Sequence, residues 1–90
     1  MDTEEKFEEM QKVLHELEEL KSNQTAVIRK IGEIETQSIS LADTQLEMKL
    51  ADMYESVAMN IEKVETAFSF YQQKLDEFAV RNNFHMETMH

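Results

Sequence analysis

Apolar residues recur along this chain in two series, and within each series the steps are mostly alternating threes and fours. Such spacing places the residues on one face of an α-helix. The first seam comprises Met10, Val13, Leu17, Leu20, Gln24, Val27, Ile31, Ile34, Ser38 and Leu41. The second seam comprises Leu46, Leu50, Met53, Val57, Ile61, Val64, Phe68, Tyr71, Leu75 and Phe78. A helix turns by roughly 100° per residue. If one helix ran through both series, the end of the first seam would therefore lie about 170° around the helix from the start of the second seam. The pattern therefore predicts two amphipathic helices.

The segment from Thr36 to Thr44 is rich in Ser and Thr, which compete with helix formation by bonding nearby backbone. Ser40 and Thr44 in this segment each have capping-box spacing to an acidic residue. We therefore predict one unit over residues 1–90, with helix one from about 3 to 37, a connection from about 38 to 43, helix two from about 44 to 82 and a frayed tail from 83 to 90. The segment lacks a Gly or Asn for a left-handed helix end, so one long continuous coiled-coil helix is the alternative.

The chain has 90 residues, no Pro and a single Gly, so it lacks the turn residues that a sheet of this size requires. An all-α fold is predicted, with two long amphipathic helices forming a helical hairpin or coiled coil. Two helices alone bury a thin core. We therefore expect oligomerisation or a partner to complete the fold as a bundle. Leu14 and Ile28 widen the first seam on one flank, as expected for a helix with more than one neighbour.

Three smaller features leave alternatives open. Gln24 and Ser38 interrupt the first seam, where they either fix register or lie partly in water. Gly32 either allows another backbone to approach or weakens the helix. Met59 and Phe70 point away from the second seam, and Phe84 joins them if the helix continues. These three residues define a candidate second surface.

The net charge is −10, from 9 basic and 19 acidic residues. Binding to nucleic-acid phosphates or anionic lipid requires Lys and Arg, so direct nucleic-acid binding and membrane association are not expected. No apolar run is long enough for membrane insertion either. The acidic residues are concentrated near the N-terminus, where they form either a solvated face or a docking surface for a basic partner.

The sequence offers no catalytic, metal-binding or cofactor-binding residues. Cysteine is absent, and the three histidines, His15, His85 and His90, lie outside both seams. Only Glu87 and His90 have the spacing of a di-iron ligand pair, and they fall in the last four residues. We expect no enzyme activity and no cofactor.

These features predict a non-catalytic coiled-coil assembly or adaptor subunit that mediates protein–protein association in an intracellular complex. Its partners are expected to be further copies of itself, other helical subunits, or both. The alternative is an acidic regulator or inhibitor, such as a viral one, that binds a basic, nucleic-acid-binding protein surface. A cytoplasmic location is expected, with the nucleus as the alternative, because the chain has no cysteine and no signal peptide.

Overall fold

A computed structural model describes residues 1–84, which form two antiparallel helices packed as a hairpin. Helix α1 spans Thr3–Ser40 and helix α2 spans Thr44–Arg81, each with 38 residues. The predicted all-α hairpin is confirmed, and the continuous helix is not formed because the chain reverses at residues 41–43. Helix α1 continues three residues beyond its predicted end, and no strand occurs among the described residues.

Each helix begins at an aspartate whose carboxylate accepts a backbone hydrogen bond. The Glu5 N–H donates to Asp2 at 2.8 Å, and the Leu46 N–H donates to Asp43 at 3.1 Å. Such a cap satisfies one of the free N–H groups in the first helical turn. Asp43 therefore starts α2, rather than Ser40 or Thr44, which have the capping-box spacing.

The reversal between the helices is built on a left-handed residue, Ala42, with φ 56°. The Ala42 N–H donates to the carbonyl of Ile39, and the Asp43 N–H donates to that of Ser38, both at 3.0 Å. This pair of bonds is a Schellman motif, which terminates a helix. The motif usually contains Gly, so the alanine concealed this sharp turn in the sequence.

Helix α2 ends in the same way. Asn83 has φ 57°, and the Phe84 N–H donates to the carbonyl of Ala79 at 2.9 Å. The predicted end of helix two at about residue 82 is therefore consistent with the structure. Phe84, however, is held by this motif instead of belonging to a frayed tail.

The hydrophobic core lies at the open end of the hairpin, away from the turn. Its buried residues are Phe7, Met10, Leu75, Phe78 and Ala79, with Leu14, Tyr71 and Phe84 packed against them. The remaining buried residues, Ile31, Ser38, Leu50 and Val64, are distributed along the rest of the interface. The hairpin is thus most densely packed where the two ends of the described chain meet.

Three phenylalanine rings stack within this core. The ring of Phe7 lies 4.5 Å from that of Phe84 and 6.4 Å from that of Phe78, measured between centroids. Lys6 places its ammonium group 5.3 Å from the centroid of Phe78, within cation–π range. The ring of Phe84 is therefore directed into the hairpin.

Neither helix in residues 1–84 has a stretch that is both long and apolar enough to cross a lipid bilayer.

Candidate interaction surface

In the middle of the hairpin, polar side chains of α1 contact polar side chains of α2. Asn60 donates a hydrogen bond from its side-chain amide to Gln24 at 2.9 Å, and Lys21 pairs with Glu65 at 3.1 Å. Gln24 is half-buried and lies at the interface, so both sequence interpretations apply in part: it pairs specifically across the helices and it remains partly wet. Ser38 is fully buried, and its hydroxyl donates to the carbonyl of Glu35 at 2.9 Å.

These two contacts distinguish the two flanks of the hairpin. Lys21 and Gln24 are three residues apart, so they lie on opposite sides of the α1 face that meets α2. Glu65 therefore marks one flank of α2, and Asn60 marks the other. We call these the Glu65 flank and the Asn60 flank.

The Asn60 flank carries an apolar row on α1. Leu20 precedes Gln24 by four residues and Val27 follows it by three, which places both beside Gln24 on this flank. We define the outer row as Val13, Leu20, Val27 and Ile34, which recur at every seventh position. Val13 is 37% exposed, Leu20 42% and Val27 45%, while Ile34 is half-buried.

The structure thus divides the first seam in two. Met10, Leu17, Gln24, Ile31 and Ser38 are buried or half-buried, as residues that face α2. The outer row is only partly covered, and Leu41 is exposed beyond the helix end. In place of the outer row, Phe7, Leu14 and Ile28 complete the face that meets α2.

Helix α2 adds two exposed apolar side chains to the same flank. Met53 and Ala67 are each seven residues from Asn60, so they share its side of the helix, and both are exposed. The Glu65 flank carries three charged side chains at the same level, where Glu18, Lys21, Glu65, Phe68 and Ser69 line one shallow groove. At this level the two flanks therefore differ in charge, since α1 exposes Leu20 and Val27 on the Asn60 flank.

Most of the second seam contacts α1, as expected. Its buried members are Leu50, Val64, Leu75 and Phe78, and its half-buried members are Leu46, Val57, Ile61, Phe68 and Tyr71. Met53 is the exception, because it lies on the exposed Asn60 flank.

Of the three residues of the candidate second surface, only Met59 and Phe70 lie on the exposed side of α2. Met59 and Phe70 are both more than half exposed, and the ammonium group of Lys74 lies 5.2 Å from the ring centroid of Phe70. Phe84 does not join them, because α2 ends at Arg81 and the Phe84 ring turns back onto Phe7. The condition attached to Phe84, that the helix continues, is therefore not met.

Titratable side chains do not converge on a chemical site in the described region. His15 contacts Glu19 at 3.2 Å on the surface of α1, with both side chains exposed. No group of three His, Asp or Glu side chains within residues 1–84 is arranged to hold a metal ion. His85, Glu87 and His90 lie outside the described residues.

Sequence reasoning missed two core residues, Phe7 and Ala79. A signal for Phe7 was present, because Phe7, Leu14 and Ile28 are spaced by multiples of seven along a row interrupted by Lys21. Ala79 carried no comparable signal, since alanine is common on every face of a helix. It is buried because it lies beside Leu75 and Phe78 in the densest part of the core.

Comparisons of the chain with protein-family models, curated proteins and solved structures found no match. The interaction surface therefore has to be interpreted from its own residues.

Proposed function

We propose that this protein is a non-catalytic assembly or adaptor subunit that joins a larger complex through the Asn60 flank of its hairpin. The observation that supports the proposal is the outer row, four aliphatic side chains in register that α2 covers only in part. Water-exposed apolar side chains arranged in a continuous strip are typical of protein-binding surfaces.

The distribution of polar residues strengthens this interpretation. Lys21 and Gln24 face α2 in the middle of α1, while Leu20 and Val27 at the same level lie on the outside. A two-helix protein that functioned alone would gain stability from the reverse arrangement, at roughly 25 cal/mol per Å² of apolar surface buried. The aliphatic residues are therefore positioned for a neighbour other than α2.

The expected partner is a helix or helical hairpin that presents its own apolar strip. The side chains of a helix form ridges of residues spaced three or four apart, and a partner helix packs its side chains into the grooves between these ridges. Apolar burial would provide the affinity, and the charged residues beside the row would select the partner. A cytoplasmic location is part of this proposal, supported by the absence of cysteine.

Affinity capture with the full chain as bait tests the proposal. The variant carries Leu20→Ser and Val27→Ser, and the matched control carries Ile39→Ser. Ile39 is an exposed aliphatic residue of α1 that lies seven residues from Gly32 and fourteen from Thr25, on the Glu65 flank. We expect helical proteins, or the chain itself, to be recovered by the wild type and the control but lost with the variant. Identical recovery with all three baits would refute the proposal.

The same capture separates this function from that of an acidic regulator. Apolar association persists in high salt, whereas binding of carboxylates to a basic surface is screened. Recovery of basic proteins that are released by about 1 M salt or by competing nucleic acid would favour the regulator instead.

A further inference from the structure

We propose that the partner covering the outer row is a second copy of this chain, related by a two-fold axis that passes α1 near Asn23. The two hairpins would stack through their Asn60 flanks with the turn of one over the open end of the other, forming a four-helix bundle. This inference rests on the proposed function and deepens it by naming the partner.

The outer row is complementary to itself when two α1 helices lie antiparallel. A two-fold axis brings each residue opposite a residue equally far on the other side of the axis. With the axis near Asn23, Val13 faces the partner's Ile34, and Leu20 faces the partner's Val27. Every member of the row then meets an aliphatic side chain.

A row of charged residues borders the outer row on the side away from α2. We define the charged row as Glu9, Glu16, Asn23, Lys30 and Gln37, each exposed and located three residues after a member of the outer row or four residues before one. Its charge changes from acidic toward the open end of the hairpin to basic toward the turn. Under the same axis, Glu16 faces the partner's Lys30.

The agreement between the two rows supports this arrangement. Helix geometry sets the spacing between the two rows but not the side chains that occupy them, and the positions that face each other under this axis hold the opposite charges of Glu16 and Lys30. In the single hairpin Lys30 pairs with Glu33 at 3.0 Å on its own helix, with the Lys30 side chain 72% exposed. An exposed contact of this kind is weak, so Lys30 remains available to a second carboxylate.

The opposite stacking, with both turns at the same end, fits less well. The contacts Gln24–Asn60 and Lys21–Glu65 fix which residues of α1 and α2 share a level. At those levels, parallel stacking places Val27 against the partner's Asn60 and Glu9 near the partner's Glu77. It would bury one aliphatic side chain against an amide and bring two carboxylates together, while Leu20 would still lie near the partner's Ala67.

The area of the flank is sufficient for a stable dimer. A 38-residue helix is about 57 Å long and about 10 Å wide, so two helices side by side present roughly 1,100 Å². A standard stable interface buries about 800 Å² on each partner. The Asn60 flank can therefore supply the whole interface.

Sedimentation equilibrium of the full chain provides the first test. We expect twice the 10.6 kDa of one chain at micromolar concentration, and one chain mass for the Leu20→Ser, Val27→Ser variant with its helical circular dichroism retained. Ile39→Ser should remain dimeric. A monomeric wild type, a larger closed assembly, or a variant that is still dimeric would overturn the inference.

Charge reversal provides the second test, because it distinguishes the two-fold arrangement from other dimers. Glu16→Lys places two lysines opposite each other, and Lys30→Glu places two glutamates opposite each other. Each variant alone should dimerise about tenfold more weakly. An equimolar mixture restores both opposite-charge pairs, so it should form a heterodimer of near wild-type affinity.

Two variants control for the change in net charge. Glu18→Lys and Arg29→Glu make the same changes in net charge at residues outside the charged row. Mixing these two variants should therefore not increase the dimer affinity over that of each variant alone. If mixing Glu16→Lys with Lys30→Glu did not restore the dimer affinity, the antiparallel two-fold arrangement would be contradicted.

The outcomes separate this inference from the proposed function. A monomeric wild type that still captures other helical proteins through the outer row would reject the self-partner and leave the adaptor proposal standing. A monomer that captures nothing through the outer row would reject both.

Discussion

The rings of Phe7 and Phe84 stack with their centroids 4.5 Å apart and their planes 9° from parallel. Phe7 lies in the second turn of α1, and Phe84 follows the end of α2, so this contact closes the hairpin at its open end. The Schellman motif at Ala42 closes the other end. With both ends fixed, the two helices present the Asn60 flank as one continuous surface.

Removing the stacked ring should destabilise the hairpin. We expect Phe84→Ala to lower the free energy of unfolding by about 2 kcal/mol, because the change removes apolar burial and an aromatic pair from a half-buried site. Urea unfolding followed by circular dichroism, at one fixed chain concentration, measures the effect.

Val80→Ala is the matched truncation for this experiment. Val80 lies four residues before Phe84 in the sequence, in the last turn of α2, and is 75% exposed. Its truncation should change the free energy of unfolding by no more than about 0.5 kcal/mol. Equal effects of the two substitutions would show that the Phe84 ring does not stabilise the hairpin.

Glycine should be preferred to alanine at the turn. A left-handed conformation costs an L-residue about 1–2 kcal/mol, whereas glycine adopts it freely. After allowance for the greater freedom of glycine in the unfolded chain, we expect Ala42→Gly to stabilise the protein by about 0.5–1 kcal/mol. Thermal unfolding would show this as a higher Tm.

The control for the turn substitution is Ala26→Gly, at an exposed position inside α1. There glycine should destabilise by about 1 kcal/mol, since the backbone is helical. Destabilisation by both substitutions would indicate that the turn does not use the left-handed residue.

The single glycine of the chain should act as a weak point in α1. A Cβ built at Gly32 meets nothing within 4 Å, so no neighbouring backbone requires glycine there. We expect Gly32→Ala to stabilise the protein by about 1 kcal/mol. The mass in solution should stay the same, because Gly32 is seven residues from Thr25 and shares the Glu65 flank. A loss of stability or a change in mass would reveal a partner packed against this position.

The ion pair between the helices should contribute little. Lys21 and Glu65 are about half exposed, at 47% and 50%, so water and salt screen their attraction. A double-mutant cycle with Lys21→Met and Glu65→Gln should give a coupling energy of about 0.5 kcal/mol that decreases in high salt. A control cycle that combines Lys21→Met with Glu62→Gln, in place of Glu65→Gln, should show no coupling energy. A salt-independent coupling above about 1 kcal/mol would contradict a screened surface pair.

The capping and packing details depended on the tertiary structure. Asp43 rather than Thr44 starts α2, and Ala42 takes the left-handed position that glycine usually fills. Phe84 could be assigned to a core only after the chain direction beyond Arg81 was known. These choices involve small energy differences between neighbouring residues, and contacts distant in the sequence decide them.

The sequence by itself determined the two helices, because the apolar spacing in each half can be buried only by a helical backbone. It also determined that helix α1 carries more apolar surface than one neighbour can cover. The tertiary structure alone decided which part of that surface α2 takes. It pairs Phe7, Leu14 and Ile28 with α2 and leaves Leu20 and Val27 outside, since the aromatic cluster at the open end fixes the rotation of α1 about its axis.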